Sequence, residues 1–302
     1  MKPLTPSDLL FQIAIGRFSR RDGLDEFKHR FKFALRSLLT LRSTLKWLAV
    51  LCADPRLLAL LRVHPRLACK LHRTYLRRDL SLSGKFGVLQ QHYALELERF
   101  PCTQGAILRG DGELELARIP GKDGQHYLIA LTHHHHFDKE GELALTLSDE
   151  AGIALVQITL TLLRNSGDGA ELWIGGLQGP SHRHGHECIR EATKALHGLF
   201  PKRVAMEALI ALATALGITS VRAGCKSVHI YNSWRYRKSF EADYDAFWEA
   251  LGGHADGYVA FRLPQPLQRK GMEEIASKKR AEYRRRYALL DDLSTQVALS
   301  LA

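Results

Sequence analysis

A chain of 302 residues, 45% of them hydrophobic, can bury one large core or two modest ones. Its five cysteines are scattered with no C-x-x-C spacing, which argues against a disulfide scaffold and for a reducing compartment. The net charge of +11 sits at the two ends: residues 1–80 carry 17 Lys and Arg against 6 Asp and Glu, and residues 269–287 carry 8 against 3. Such ends suit anionic partners (tRNA, phospholipid head groups, lipopolysaccharide phosphates), or they are merely solvated helix faces.

In chain order, "LLFQIAIG" near the N-terminus is too short and wrongly flanked for a secretory signal. "LKWLAVLCADPRLLALL" is broken by Asp54, Pro55 and Arg56 and does not span a bilayer. The expectation is a cytoplasmic protein, with peripheral contact at the inner membrane open to it. Phe27, Phe31, Phe33, Leu35, Leu38, Leu39 and Leu41 recur with a roughly helical period between Arg and Lys. Asp54-Pro55 and His64-Pro65 start two further helices. "SLSGKFG" reads as a turn-rich boundary, so residues 1–87 form a basic helical N-terminal region and residues 88–302 a second domain.

Beyond residue 88 the pattern changes to strands. "GELELARIP", "QHYLIALTHH", "GELALTLSD", "GIALVQITLTLL" and "AELWIGGLQG" alternate or run β-branched between turn residues, predicting an antiparallel meander. A helix over 201–216, a strand over 218–224, a helix through "YDAFWEALGG", a strand "GYVAFRLP" and a closing basic helix follow. The class is α+β around a largely antiparallel central sheet flanked by helices. Before the 201–216 helix, "HGLFPK" offers an anion site in principle: Gly198 lets backbone approach a phosphate and Lys202 adds a charge. The stripe of Val204, Ala205, Ala208, Leu209, Leu212 and Leu216 serves packing, and Gly217 caps the helix.

Five segments in order, "KEGELALTL", "LWIGGLQGP", "TKALHGLFPK", "YDAFWEALGG" and "SKKRAEYRRRYALLD", resemble the VirK/YbjX family of bacterial proteins. That resemblance implies a link to virulence and envelope stress: surface-protein display and resistance to antimicrobial peptides. A second, structural resemblance is carried by "PKRVAMEALIALATALGITSVRAG" followed by "FWEALGGHADGYVAFRLP", which is similar to the cofactor-binding half of GCN5-related N-acetyltransferases (GNAT). It implies a GNAT-like sheet and a donor, acyl-CoA or aminoacyl-tRNA, whose phosphates meet His197, Gly198, Lys202 and Arg203. The loop departs from the superfamily pattern in having only Gly198, and Pro201 removes one N–H. Trp248 stands where many members have a tyrosine acid, so either Tyr244 or His254 takes that role or CoA chemistry is absent.

Glu140 is the candidate general base, with His135 of the "HHHH" run nearby; the alternative is a hairpin around Gly141 with both Glu140 and Glu142 solvated. Gln178, at the end of a near-continuous apolar strand, either lines a cleft or caps a turn. Tyr231, Asn232 and Trp234 interleave with Arg235, Arg237 and Lys238 and are candidate substrate contacts or part of a lid. The runs His133–His136 and His182, His184, His186 and Cys188 lack structural zinc spacing, so no metal is expected. On the closing helix, Tyr283, Tyr287 and Leu290 pack while Arg284, Arg285 and Arg286 point outward.

These readings converge on a transferase moving an acyl or aminoacyl group onto an amine or hydroxyl, linked to envelope modification. The competing expectation is a non-catalytic adaptor whose basic helices touch an anionic membrane, a lipopolysaccharide precursor or an envelope-assembly partner. Nucleic-acid binding without chemistry, tRNA included, ranks third.

Overall fold

The computed structural model describes residues 4–19, 24–100, 112–133, 136–165, 167, 169–181, 187–232 and 244–302. Helix α1 (Pro6–Ala14) begins where the Thr5 hydroxyl accepts the Asp8 N–H at 3.1 Å. Helices α2 (Phe27–Leu39), α3 (Leu41–Ala53) and α4 (Pro55–Val63) follow, the last capped by Asp54, and a 3-10 turn runs from Pro65 to His72. Both prolines open their helices, where a missing N–H costs nothing.

Helix α5 (Leu82–Arg99) runs straight through the expected boundary at residue 87. The Ser81 hydroxyl accepts the Gly84 N–H at 3.1 Å, so the turn-like "SLSGKFG" is a helix cap and first turns. Two glycines lower helix propensity there, but apolar packing overrides them. Leu89 and Tyr93 join the N-terminal core, and Leu95 joins the core beneath the sheet. The helix thus ties the two regions together.

The strands are β1 (Glu113–Pro120), β2 (His126–Thr132), β3 (Leu143–Ser148), β4 (Ala154–Arg164), β5 (Ala170–Gln178), β6 (Ser220–Gly224), β7 (His254–Asp256) and β8 (Ala260–Leu263). Among the described residues they form one sheet in the order β1-β2-β3-β4-β5-β6-β8-β7. Neighbours are antiparallel except β5 and β6, which run parallel from Glu171 opposite Ser220 to Ile174 opposite Ala223. A parallel pair needs a crossover, and α6 (Glu187–Ala195) with α7 (Pro201–Ala215) supply it. Helix α8 (Tyr244–Ala250) precedes the β7–β8 hairpin, and α9 (Arg280–Ser300) packs beside α7 and β1. The fold is α+β: a helical N-terminal region followed by a largely antiparallel sheet flanked by helices.

With α7 and α9 against one face and α5 with the N-terminal helices against the other, β5 is buried along nearly its whole length. That explains its continuous apolar run. Most of the apolar period in α2 does not enter the core: Phe33 is buried, whereas Phe27, Phe31, Leu35, Leu38 and Leu39 are exposed. On α9, Leu290 is buried and Arg284 and Arg285 are exposed, but Arg286 turns back and its Nε donates to the His197 carbonyl at 2.6 Å.

Candidate functional site

Strand β5 outruns its partner. Pairing with β6 stops at Ile174, while β5 continues through Gly175, Gly176, Leu177 and Gln178. On the β4 side Thr159 faces Gly176 and Leu160 faces Ile174, so Gly175 is an extra residue and the strand bulges there. The segment before β3 lies against this bulge. A Cβ on Gly175 would stand 1.7 Å from the Glu140 carbonyl oxygen, and one on Gly176 would stand 2.0 Å from Glu140 Oε2. The double glycine of "LWIGGLQGP" is the space that Glu140 occupies.

Glu140 is fully buried and held by neutral groups. Gln178 Nε2 donates to Oε1 at 3.0 Å and to Oε2 at 3.3 Å, and the Thr159 hydroxyl donates to Oε2 at 3.4 Å. His229 Nε2 lies 3.6 Å from Oε1. Burial raises the Glu140 carboxyl from 4.5 to about 8, only partly offset by the bonds from Gln178 and Thr159. Burial also lowers the His229 imidazole to about 4, so near neutrality carboxyl and imidazole are both uncharged rather than an ion pair. Both directions follow from one cause, the low polarity of the site.

Tyr244, at the start of α8, completes the cluster. Its hydroxyl accepts from Gln178 Nε2 at 3.3 Å and donates to the Leu177 carbonyl at 3.0 Å. Burial and the nearby Glu140 push its titration far above the ordinary range. Its ring stacks on His229 with centroids 5.2 Å apart, and Tyr231 lies 5.7 Å beyond. The Asn232 side chain instead donates to the Lys226 carbonyl at 2.9 Å, holding the loop that carries His229.

The N-terminal region builds this site. Leu76, at φ 56°, donates its N–H to the Lys139 carbonyl at 2.7 Å, and the Arg78 N–H reaches the Val228 carbonyl at 2.9 Å. Those two bonds position the segments carrying Glu140 and His229. Arg78 Nη1 also donates to the Asn232 carbonyl at 2.8 Å.

The proposed donor loop lies elsewhere. Gly198 (φ 81°) donates its N–H to the Thr193 carbonyl at 2.7 Å, and the Leu199 N–H goes to Leu196 at 3.0 Å. Those amides close the C-terminus of α6 and are already spoken for. His197 gives its carbonyl to Arg286, and Arg203 pairs with Glu207 at 2.7 Å. Lys202 is what the loop can offer an anion. It sits 5.6 Å over the Phe247 ring, with its titration lowered by burial. Phe247, Trp248 and Tyr244 are successive ring neighbours at 5.2 and 6.0 Å, which connects Lys202 to the cluster. His135 and Trp234 lie outside the described residues.

A second polar cluster lies between the N-terminal helices and the sheet. Glu142 is buried, not solvated: Lys70 Nζ meets its Oε1 at 2.6 Å and the Tyr93 hydroxyl donates to Oε2. His133 Nε2 faces Glu96 Oε1 at 2.6 Å, and His92 Nε2 lies 3.2 Å from Glu96 Oε2. Burial alone would raise the Glu96 carboxyl, yet the two imidazoles bring it down to about 2. The cluster floors a cleft of about 190 Å³ edged by His64, Arg66, His136 and Asp138. Among the described residues no three His, Cys, Asp or Glu side chains are placed to hold a metal ion.

His229 and Thr159 are site members that sequence reasoning missed; neither lies in a recognisable pattern. The second cluster did leave a signal, because His92 and Glu96 sit four apart on a helix whose neighbouring positions are apolar.

The chain matches the family described as "Protein of unknown function (DUF535)" over residues 22–299. It is 40% identical over 308 residues to the uncharacterized protein YbjX of Escherichia coli (strain K12), covering 98% of this chain and 92% of the relative. It is 30% identical over 176 residues to an uncharacterized protein of Haemophilus influenzae, covering 56% of each. Among solved structures it is similar to a mutant form of a cAMP-binding acyltransferase from Mycobacterium smegmatis at 10% identity and a TM-score of 0.29. That match covers 74% of this chain and 63% of the other, and is too loose to support any inference. The match along nearly the whole chain decides the matter: the protein belongs to the DUF535 family, the VirK/YbjX family.

Proposed function

We propose that the protein transfers an acyl or aminoacyl group from an activated donor, acyl-CoA or aminoacyl-tRNA, to an amine or hydroxyl. One observation carries this reading. Glu140, with a titration near 8, is locked against the Gly175–Gly176 bulge beside Gln178, Tyr244 and His229, where β5 has left β6. A carboxyl poised close to neutrality can take and return a proton without a large driving-force cost.

In the proposed step the acceptor's lone pair attacks the donor carbonyl and its proton passes to Glu140 in the fraction of molecules whose carboxyl is ionised, a fraction that grows as pH approaches 8. The tetrahedral intermediate then collapses, the bond to the thiolate or tRNA oxygen breaks, and Glu140 returns the proton to that leaving group. Gln178, half-buried and bonded to both Glu140 and Tyr244, orients the carboxyl. Tyr244 acts through Gln178, because its own proton is committed to the Leu177 carbonyl. Tyr231 sits beside His229 at the outer side of the cluster as an acceptor contact. Donor phosphates would meet Lys202 rather than the loop amides or Arg203, which is committed to Glu207.

The test is thermal-shift titration of the full chain with a panel of acyl-CoAs and with charged tRNA, followed by label transfer to amine and hydroxyl acceptors. A stabilising donor is expected, with its effect weakened in Lys202→Ala and transfer abolished in Glu140→Gln. No stabilisation by any donor, or transfer untouched by Glu140→Gln, overturns the reading.

A further inference from the structure

Helix α2 has three faces. Successive residues are about 100° apart, so Phe33 and Ser37, both buried, mark the face toward the core, with Arg30 and Ala34 half-buried beside them. On the opposite side Phe27, Phe31, Leu35, Leu38 and Leu39 form a continuous stripe, between 48% and 77% exposed. The Phe27 and Phe31 rings stack at 6.2 Å, and Leu41 on α3 and Phe11 on α1 are exposed as well. Between stripe and core runs a basic edge of Lys28, which pairs with Glu26 at 2.6 Å, and of Lys32 and Arg36.

Lys32 and Arg36 open into a cleft of about 240 Å³, shared with His29, Arg66, His72 and Arg73 and lined by no acid. Arg73 pairs with Asp138 at 2.5 Å. Lys32, Arg36 and Arg66 meet no carboxylate within ion-pair distance among the described residues. Five large apolar side chains in water beside a cleft whose cations outnumber the acids that reach them, Asp138 at Arg73 and Glu26 at His29, is an arrangement that folding alone does not reward.

We propose that α2 docks the protein on an anionic phospholipid surface, its apolar stripe entering the acyl boundary while the Lys32–Arg36–Arg66 cleft takes a lipid phosphate. Charge complementarity selects this occupant. A helix lying in an interface presents an apolar face with Lys and Arg along its edge, as α2 does. A second copy packed stripe to stripe would bring the two basic edges together, which like-charge repulsion opposes. No helix among the described residues is long and apolar enough to cross a membrane, so the contact is peripheral. The inference is independent of the transferase reading, since none of the Glu140 cluster lies on α2.

Flotation of the full chain with phosphatidylcholine vesicles, with and without phosphatidylglycerol, tests it. Binding is expected only with phosphatidylglycerol and is weakened by salt, because exposed charges are screened over about 8–10 Å. Phe31→Ser with Leu35→Ser is expected to cut binding roughly a hundredfold with the melting temperature unchanged. Lys32→Glu with Arg36→Glu is expected to cut it roughly thirtyfold or more. Absence of vesicle binding, equal binding to phosphatidylcholine alone, or retained binding in the stripe variant overturns the proposal. So does a concentration-dependent dimer that Phe31→Ser with Leu35→Ser disperses, which would assign the stripe to a second copy.

Discussion

Replacing Glu140 by Gln should stabilise the protein progressively as pH rises. The carboxyl is fully buried and titrates near 8 in the folded chain against 4.5 when exposed. Below pH 4.5 both folded and unfolded chains hold the proton and the group adds no pH dependence. Between 4.5 and 8 the folded chain binds more protons than the unfolded one, so stability falls with rising pH by about 1.4 kcal/mol per unit. Above 8 the loss levels off at about 5 kcal/mol, the full cost of carrying the ionised carboxyl in an apolar site rather than in water. Glutamine is the neutral isostere: with its carbonyl in the Oε1 position it can accept from Gln178, its amide can face the Thr159 hydroxyl, and it does not titrate. The stability difference, Gln minus Glu, should therefore grow by about 3 kcal/mol between pH 6 and pH 9. Urea unfolding of both proteins at a series of pH values reads this directly. A difference that stays flat across that window would refute the assignment of Glu140 as a buried, proton-retaining carboxyl. Transfer activity should fall by roughly two to four orders of magnitude in the same variant, so the two readouts move in opposite directions.

The double glycine supplies a related test. Gly176→Ala pushes a methyl group into the Glu140 side chain and Gly175→Ala pushes one into the Glu140 backbone carbonyl, each costing about 1–3 kcal/mol or more. Glu140→Ala should rescue Gly176→Ala and leave Gly175→Ala unrescued; equal coupling in the two double-mutant cycles, read by denaturant unfolding, would contradict the wedge geometry. Tyr244→Phe removes the acceptor of one Gln178 hydrogen bond and should cost about 1–2 kcal/mol in a thermal melt, lowering kcat more than it raises KM. Glu96→Gln should cost about 3 kcal/mol at pH 7, because the native carboxyl titrates near 2. That stabilisation is present above pH 4.5 and lost as pH falls toward 2, so unfolding curves of wild type and variant should converge in acid.

Much of the site was visible as polar letters in apolar surroundings. Glu140 follows a turn and precedes a strand, and Gln178 ends a run that is otherwise apolar; both stand out because buried polar groups are costly and need a reason. Their partners were not visible. His229 sits in a short loop after β6 with no periodicity to mark it, and it reaches Glu140 only because the parallel crossover returns the chain beside the β5 bulge. Glu140 and Glu142, two residues apart, read as equivalent. Gly141 packs against the Leu160 backbone, and the two carboxylates enter different clusters, one neutral and one paired with Lys70.

By itself the sequence determined the helical N-terminal region, the meander, the 201–216 helix with its buried stripe, and the family. These follow from local periodicity and from letters that recur in relatives. Only the tertiary structure decided which side of α2 faces water, since a helical period reports that a helix has two faces without saying what each one meets. It alone decided that residues 76–78 hold the Glu140 and His229 segments in place, and that the two glycines of β5 make room for a carboxyl. Contacts between distant segments depend on chain crossings and backbone clearances of a few ångströms, which no local pattern records.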